Sequence, residues 1–152
     1  MQVTTDSPDT TRLTIGALAQ RAGLGAETLR YYERLGLLAP VRRTASGYRL
    51  YDPSALDRLD FIRRAQALGF SLAQIGELLD LHARPEADMG TVRAVVAQRL
   101  AEIDAKIGDL RRMRAGLEAL LAACPGHGPN AHCPILAALR GEAPKEVRHA
   151  HD

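Results

Sequence analysis

Residues 91–122 are the part of the chain that most constrains its fold. Apolar residues recur there mainly at spacings of three and four, which predicts one continuous helix about 48 Å long. The apolar seam of this helix consists of Leu100, Ile103, Ile107, Leu110, Leu117 and Leu121. Arg114 occupies the seam position between Leu110 and Leu117, with Met113 beside it. A long helix cannot bury so narrow a seam alone, so we expect an antiparallel coiled coil with a second subunit, and hence a homodimer.

The rest of the chain is large enough for one small domain. The chain has 152 residues, and its hydrophobic fraction of 46% is sufficient for a buried core. Low aromatic content and stretches rich in Ala, Leu, Arg and Glu favour helices over sheet. The net charge of +2 by itself predicts nothing about a nucleic-acid partner, because the distribution of charge matters more. From Arg30 to Arg49, five arginines stand against one acidic residue, Glu33. This segment is a basic island in an otherwise balanced chain.

The basic segment overlaps two short predicted helices. Thr14 is placed to cap the first of them, and residues 22–25 are typical of a Gly-containing turn. The second helix covers residues 26–35 and ends at Gly36. Two short helices joined by a tight turn are typical of a helix-turn-helix unit, whose second helix enters the major groove of DNA.

An extended hairpin follows the helix-turn-helix unit. Residues 42–44 and 48–51 predict its two strands, and residues 45–47 predict its turn. Two more helices are predicted from their N-terminal signals and apolar spacing, at residues 54–68 and 72–81. The hairpin then takes the place of the wing in a winged helix-turn-helix domain, and the two helices form a second helical pair.

Five sequence motifs, in this order and spacing, resemble those of the MerR family of regulators. They are IGALA at 15–19, ETLRYYE at 27–33, GLL at 36–38, GYRLY at 47–51 and GFSL at 69–72, followed by Ile75. The resemblance covers roughly residues 13–140. It implies a mainly α fold with a winged helix-turn-helix DNA-binding domain, a second helical pair, a long antiparallel coiled-coil dimerisation helix, and a short C-terminal metal-binding loop and helix.

The domain organisation that follows has five parts. These are a disordered tail at 1–12, a winged helix-turn-helix domain with its second helical pair at 13–82, a dimerisation helix at 91–122, an effector-binding loop and short helix at 123–140, and a flexible tail at 141–152. His149 and His151 lie in the last, polar segment, for which disorder is expected. No secretory signal or apolar run of membrane-spanning length is visible, so we expect a cytoplasmic protein.

The helix at residues 26–35 is the candidate recognition helix. Arg30 is the best candidate on it for a contact with a phosphate or with guanine. Tyr32 is expected to hydrogen-bond a phosphate through its hydroxyl. Tyr31 lies on the opposite helical face and is expected in the core.

The wing carries the other candidate DNA contacts. Arg43, Tyr48 and Arg49 place charge and a hydroxyl there, where phosphate contacts fix the register of the protein on DNA without reading its sequence. Each arginine taken singly is equally compatible with a solvated surface residue. The cluster on a helix-turn-helix unit and its wing is what favours DNA binding.

A second candidate site follows the long helix. Cys124 and Cys133 bracket a Gly/Pro-rich loop, and two thiolates held close together suit a soft or borderline metal ion. The resemblance implies the same ligands, because metal-sensing members carry a cysteine pair in this loop. His127 and His132 could complete a tetrahedral set, and Asp88 could add an oxygen ligand. The alternative interpretation is a pair of buried, reduced cysteines beside unrelated histidines.

The identity of the metal ion stays open between two candidates. Two thiolates suit Cu(I), which accepts linear coordination, and a proline after each cysteine resembles the copper-sensing branch of the family. Residues 87–91 contain no cysteine, where family members that sense divalent ions usually supply another one, and this absence favours a monovalent ion. The loop is, however, slightly longer than in typical copper sensors, and its two histidines suit Zn(II). Cu(I) is therefore favoured, with Zn(II) as the alternative.

The resemblance also implies a mechanism and its partners. The dimer binds double-stranded promoter DNA between elements that lie too far apart, and the effector changes the distortion of the DNA so that RNA polymerase engages both elements. Two other functions stay open: a regulator of the same fold that senses an organic ligand or thiol stress, and a thiol enzyme that uses a cysteine with a histidine. No oxyanion-hole motif accompanies the cysteines, so we expect a protein that is not an enzyme.

Overall fold

The computed structural model describes residues 11–142, and α-helices dominate it. In chain order the elements are β1 (Leu13–Thr14), α1 (Ile15–Ala22), α2 (Ala26–Arg34), β2 (Arg42–Arg43), β3 (Arg49–Tyr51), α3 (Ser54–Ala67), α4 (Leu72–His82), α5 (Met89–Ala123) and α6 (Pro134–Leu139). The chain forms two compact units, one up to Arg99 and one from Leu100 onwards. The predicted tails, 1–12 and 141–152 with its two histidines, lie almost entirely outside the described residues.

The predicted helix-turn-helix is present, and its local sequence explains where the helices begin and end. Thr14 Oγ1 accepts a hydrogen bond from the backbone N–H of Ala17 at 3.2 Å and so caps α1. Gly23 ends α1 with a φ of 67°, a left-handed conformation in which a Cβ would be strained. Residues 23–25 then form the whole turn between α1 and α2.

A three-stranded antiparallel sheet, in the order β1–β3–β2, contains the wing. Its hairpin joins β2 to β3, and Arg43 is paired in register with Arg49. Gly47 has a φ of 84°, and the backbone N–H of Thr44 donates to the carbonyl of Tyr48 at 2.8 Å, which closes the predicted turn. The sequence does not predict β1, because a strand of two residues has no alternating pattern and depends on its pairing with β3.

The second helical pair, α3 and α4, is capped by its own sequence. The backbone N–H of Ser54 donates to Asp52 Oδ1 at 2.9 Å just before α3, and this hydrogen bond lowers the pKa of Asp52. Ser71 Oγ accepts from the N–H of Gln74 at 3.1 Å, while Gln74 Oε1 accepts from the N–H of Ser71 at 2.9 Å. This capping box fixes the start of α4, and both helices end within one residue of the predicted positions.

One hydrophobic core holds the first unit together. Its fully buried side chains come from α1, α2, β3, α3 and α4 and are Leu18, Leu29, Tyr51, Ile62 and Ile75. Each apolar side chain of this size contributes about 1.5–3 kcal/mol relative to leaving it exposed. The core therefore supports the recognition helix and the wing strand together, and so positions the candidate DNA contacts.

α5 is the longest element, and its apolar seam is exposed in the single chain. The helix covers Met89–Ala123, close to the predicted residues 91–122. Four leucines of the seam are more than half exposed: Leu100, Leu110, Leu117 and Leu121. A regular apolar row of this length on a surface marks an interaction site.

The chain after α5 forms a short 3₁₀ turn at Asn130–His132 and then α6. Two leucines of α6 remain exposed, Leu136 by 42% and Leu139 by 72%. Among residues 11–142, no helix combines the length and the apolar character that crossing a membrane requires.

Candidate functional site

The exposed face of α2 differs from the prediction at two neighbouring tyrosines. Tyr31 is 45% exposed, and the Arg34 guanidinium lies over its ring, 5.7 Å from the centroid. Tyr32 is only 6% exposed, and its hydroxyl donates to Gln66 Oε1 of α3 at 3.3 Å. The prediction that Tyr31 packs in the core and Tyr32 faces outward is therefore wrong. Tyr32 lies one turn after the buried Leu29 and shares its helical face.

Arg30 lies on α2 at the predicted position of a DNA contact. Its side chain is 41% exposed and pairs with Glu27, one turn earlier on the same helix. An exposed ion pair of this kind contributes little in water, because both charges are well solvated and screened. Glu27 therefore holds the Arg30 guanidinium only weakly, and a phosphate could replace it.

The three predicted contacts of the wing fall into two environments. Arg43 is exposed on β2, and Tyr48 is 69% exposed in the hairpin turn. The Arg49 side chain is 31% exposed, and its Nε donates to Glu33 Oε1 of α2 at 2.8 Å. Arg43 and Tyr48 thus face solvent, whereas Arg49 is engaged within the protein.

Glu33 joins α2 to the wing through both of its carboxylate oxygens. Oε1 accepts from Arg49, and Oε2 accepts from the Tyr51 hydroxyl at 2.8 Å. Burial raises the pKa of Glu33, but the hydrogen bonds from Tyr51 and Arg49 outweigh it, and the pKa lies below its usual 4.5. Burial, followed by the hydrogen bond to Glu33, raises the pKa of Tyr51 to about 12. At neutral pH Glu33 is therefore a carboxylate and Tyr51 a neutral donor.

Glu33 is not among the site residues predicted from the sequence, although one signal pointed to it. Glu33 is the only acidic residue between Arg30 and Arg49, and an isolated acid in a basic segment is a candidate ion-pair partner. Its actual partner, Arg49, lies 16 positions away on another element. A contact at that separation depends on the fold, so no local pattern identifies it.

The loop between the two cysteines lines a cleft of about 500 Å³. Cys124, His127, His132 and Cys133 all contribute to its lining. Both cysteines are free thiols and half-buried, and Cys133 directly precedes α6. Both histidines are exposed, and His127 Nδ1 lies 3.1 Å from the carbonyl oxygen of Pro125. The structure thus brings four of the predicted ligands to the same cleft.

A metal ion in this cleft would find few donor groups within one chain. Among residues 11–142, no group of three or more His, Cys, Asp and Glu side chains is arranged to hold a metal ion. The closed tetrahedral Cys/His set that Zn(II) prefers is therefore not assembled in the single chain. The two cysteine sulfur atoms on this cleft are ligands that suit a soft or borderline cation.

Asp88, the remaining candidate ligand, has a structural partner. Its Oδ1 accepts from the backbone N–H of Gly90 at 2.5 Å, and its carbonyl oxygen accepts from Thr91 Oγ1 at 2.6 Å. Both bonds satisfy donors in the first turn of α5. The contacts of Asp88 are therefore those of a residue that caps the start of α5.

Two family profiles match the chain. The profile described as "MerR HTH family regulatory protein" covers residues 13–81, and the profile described as "MerR, DNA binding" covers residues 56–120. Together the two profiles span the elements from β1 through most of α5. They therefore include every candidate DNA contact and the exposed apolar seam as far as Leu117, and they end just before the cysteine loop.

Similar proteins are transcription regulators, and two of them are described with a metal ion. The mercuric resistance operon regulatory protein of Bacillus cereus is 42% identical over 125 residues, which are 82% of this chain and 95% of that protein. The HTH-type transcriptional regulator CueR of Salmonella typhimurium is 36% identical over 129 residues, 85% of this chain and 93% of that protein. The crystal structure of the transcription regulator PbrR691 from Ralstonia metallidurans CH34 in complex with lead(II) matches with a TM-score of 0.77 at 37% identity, over 84% of this chain and 98% of that one.

Proposed function

The chain belongs to the MerR family of helix-turn-helix regulatory proteins, and from this we propose that it is a metal-responsive regulator of transcription. In this proposal a homodimer binds double-stranded promoter DNA through its winged helix-turn-helix units and binds the effector ion at the cysteine loop. The observation that carries the proposal is the placement of Cys124 and Cys133 on one cleft in a chain of this family. The regulator would act in the cytoplasm, together with DNA and RNA polymerase.

The proposed DNA-binding surface consists of the exposed side of α2 and the wing. Arg30 on α2, with Arg43 and Tyr48 on the wing, supplies charge and hydrogen-bond donors to phosphates or base edges. Tyr31 takes the outward place that the sequence analysis assigned to Tyr32, because its side chain is the exposed one of the two. Binding through such contacts releases counterions and weakens as the salt concentration rises.

Homodimerisation is proposed to use the seam of α5. The half-exposed leucines from Leu100 to Leu121 repeat at the spacing of a coiled coil, and a second copy of the chain offers the same seam. Packing the two seams together removes these leucines from water. The antiparallel orientation is the one that the resemblance implies.

Cys124 and Cys133 are the proposed ligands of the effector, and Cu(I) is the favoured ion. Two soft thiolates per chain, with no cluster of three donors among the described residues, suit a monovalent soft ion. A bound ion would supply a cross-link between the two ends of the loop. His127 and His132 line the same cleft as exposed residues, and we place them outside the ligand set.

A divalent soft ion is the second candidate effector. The Bacillus cereus relative is named for mercuric resistance, and the PbrR691 structure contains lead(II). A divalent ion would recruit further donors, so that His127, His132 or a residue of the second subunit would have to complete the site. Zn(II), the alternative favoured by the loop histidines, is also divalent, although it is a borderline and not a soft ion.

Regulation is proposed to act through the shape of the promoter DNA. The dimer holds the DNA in a distorted form, and the effector-bound loop changes that distortion so that RNA polymerase engages both promoter elements. α5 ends at Ala123, directly before Cys124, so the dimerisation helix continues into the cysteine loop. A change in the loop therefore acts on an element that both subunits share.

Anaerobic titration of the reduced full-length protein with Cu(I), Zn(II) or Hg(II), against competing chelators, tests this assignment. We expect Cu(I) to bind far more tightly than Zn(II), with binding lost in Cys124→Ser and Cys133→Ser and retained in the matched control His127→Ala. Tight Zn(II) binding that His127→Ala or His132→Ala abolishes would contradict the Cu(I) assignment. Metal-dependent transcription that survives the double cysteine substitution would contradict a sensor at this loop.

A further inference from the structure

Glu33 is the residue at which charged side chains join the recognition helix to the wing. Its carboxylate accepts from Arg49 Nε and from the Tyr51 hydroxyl, each at 2.8 Å. The Glu33 side chain is 18% exposed and that of Arg49 31%, whereas in the Arg30–Glu27 pair of the same helix the fractions are 41% and 83%. The junction is therefore less solvated than the surface pair, and its geometry is better fixed.

The ion pair with Glu33 affects whether Arg49 can contact a DNA phosphate. An arginine that neutralises a DNA phosphate releases a counterion, and this release makes the affinity fall with salt. The charge of Arg49 is already balanced by Glu33, whose carboxylate remains ionised at neutral pH. A phosphate next to Arg49 would also lie close to the Glu33 carboxylate and be repelled by it. Arg43, which faces solvent on the adjacent strand, has the better placement for a phosphate contact.

We infer that Glu33 is a positioning residue that fixes the wing on the recognition helix, and that Arg49 acts as its tether and not as a phosphate contact. The inference deepens the DNA-binding role proposed above and rests on it. Tyr51, fully buried in the core, anchors the second carboxylate oxygen. A wing that is fixed before binding loses less conformational entropy when it and α2 contact the same duplex.

The salt dependence of DNA binding distinguishes a tether from a phosphate contact. The probe is one duplex that the wild-type protein selects from a random-sequence pool, and the full-length variants are compared on it. Arg49→Gln should weaken binding by up to about fivefold, as expected for a lost, partly exposed ion pair. It should lower the salt slope by less than Arg43→Gln does, because it uncovers the Glu33 carboxylate but removes no phosphate contact. The matched control Arg43→Gln should lower the slope by about 0.9 per subunit. Equal losses of slope in the two variants would overturn the tether assignment.

Substitution of Glu33 gives a readout that a merely structural role would not produce. Glu33→Gln keeps the shape of the side chain but leaves the charge of Arg49 unbalanced. We therefore expect a steeper salt slope than that of the wild-type protein, because a further cation becomes available to phosphates. In the double variant with Arg49→Gln the slope should return to the wild-type value. If the salt slope of Glu33→Gln equals that of the wild-type protein, Glu33 does not balance the charge of Arg49.

Hydrogen exchange of the wing without DNA tests the tether independently of DNA binding. The backbone N–H groups of Val41 and Thr44 donate to carbonyls of the opposite strand region, each at 2.8 Å. Their exchange should be faster in Glu33→Gln and in Arg49→Gln than in the wild-type protein. The double variant should exchange no faster than either single variant, because each single substitution already removes the ion pair between the two residues. Arg43→Gln removes a charge that acts on Glu33 from a distance but no hydrogen bond to it, so it should change the exchange less than either single variant does. Wild-type exchange rates in both single variants would overturn the inference, whereas failure of the wild-type protein to bind any duplex would count against the proposed function alone.

Discussion

At the scale of single residues, the ionisation of Glu33 decides how firmly the wing is held. The folded-state pKa of Glu33 lies below 4.5, so its ion pair stabilises the fold above that pH, and the contribution is lost as the pH falls through the folded-state pKa. Glu33→Gln lacks this contribution at every pH. Urea unfolding between about pH 7 and pH 3 should therefore show a wild-type advantage in the free energy of unfolding that shrinks towards acid pH. A difference between the two proteins that does not change with pH would contradict this.

Tyr31 and Tyr32 should have opposite phenotypes because their environments are opposite. Tyr32 is buried, so Tyr32→Ala should lower the free energy of unfolding by about 3–5 kcal/mol, as for other large aromatic truncations in a core. Tyr31 is 45% exposed, so Tyr31→Ala should cost below about 1 kcal/mol and act mainly on DNA affinity. Thermal unfolding and duplex binding of the two variants measure this. A larger loss of stability in Tyr31→Ala than in Tyr32→Ala would contradict the burial of Tyr32 and support the sequence-based assignment of Tyr31 to the core.

The residue-level errors of the sequence analysis have a common physical cause. Tyr31 and Tyr32 are adjacent on a short helix with few apolar residues, and which of the two packs inward depends on how α2 lies on α3, where Tyr32 contacts Gln66. The pair of Glu33 and Arg49 depends in the same way on how the wing folds back on α2. Contacts made by tertiary structure leave no local period in the sequence. The exposure of Arg43 and Tyr48 was predictable because both residues belong to the hairpin itself, one on β2 and one in its turn.

At the scale of elements, Arg114 should limit the stability of the dimer that we propose to form through α5. Arg114 takes a seam position between exposed leucines, and its side chain is 81% exposed and paired with Glu118 at 3.1 Å. A charged residue in the seam of a coiled coil lowers its stability and specifies its register. Arg114→Leu should therefore tighten the dimer by about tenfold or more, measured as its dissociation constant by analytical ultracentrifugation.

Arg112 provides the matched control for this substitution. It lies two positions before Arg114, outside the seam, and its side chain is 74% exposed and paired with Asp109. Arg112→Leu should therefore leave the dissociation constant of the dimer within error of the wild-type value. An equal effect of both substitutions would mean that added hydrophobicity, and not the seam position, strengthens association. No effect of Arg114→Leu would place the dimer contact elsewhere.

Helices and strands were predictable where residues within the element itself, such as capping residues and regularly spaced apolar residues, indicate it. The apolar spacing of the long helix gave residues 91–122, and the helix observed is Met89–Ala123. Capping residues and apolar spacing likewise placed α3 and α4. β1 was missed because its two residues become a strand only through their pairing with Tyr51 and Leu50.

At the scale of the whole molecule, the proposed DNA-binding and effector-binding sites lie in different compact units. The proposed DNA contacts lie in the unit up to Arg99, and both cysteines lie in the unit from Leu100 onwards. α5 supplies residues to both units. The sequence predicted the cysteine pair through its spacing and through the family resemblance. The identity of the ion was not predictable in this way, because it depends on which further donors, if any, complete the site.

The most direct test of a metal-responsive regulator is the metal-dependent distortion of its DNA. A base analogue such as 2-aminopurine, placed at the centre of the selected duplex, reports unstacking there by its fluorescence. Addition of Cu(I) to the reduced wild-type complex should raise this fluorescence without dissociating the complex, and the Cys124→Ser, Cys133→Ser double variant should bind the duplex equally well but show no change. A fluorescence that no metal ion alters, or that responds equally in the double variant, would contradict the account.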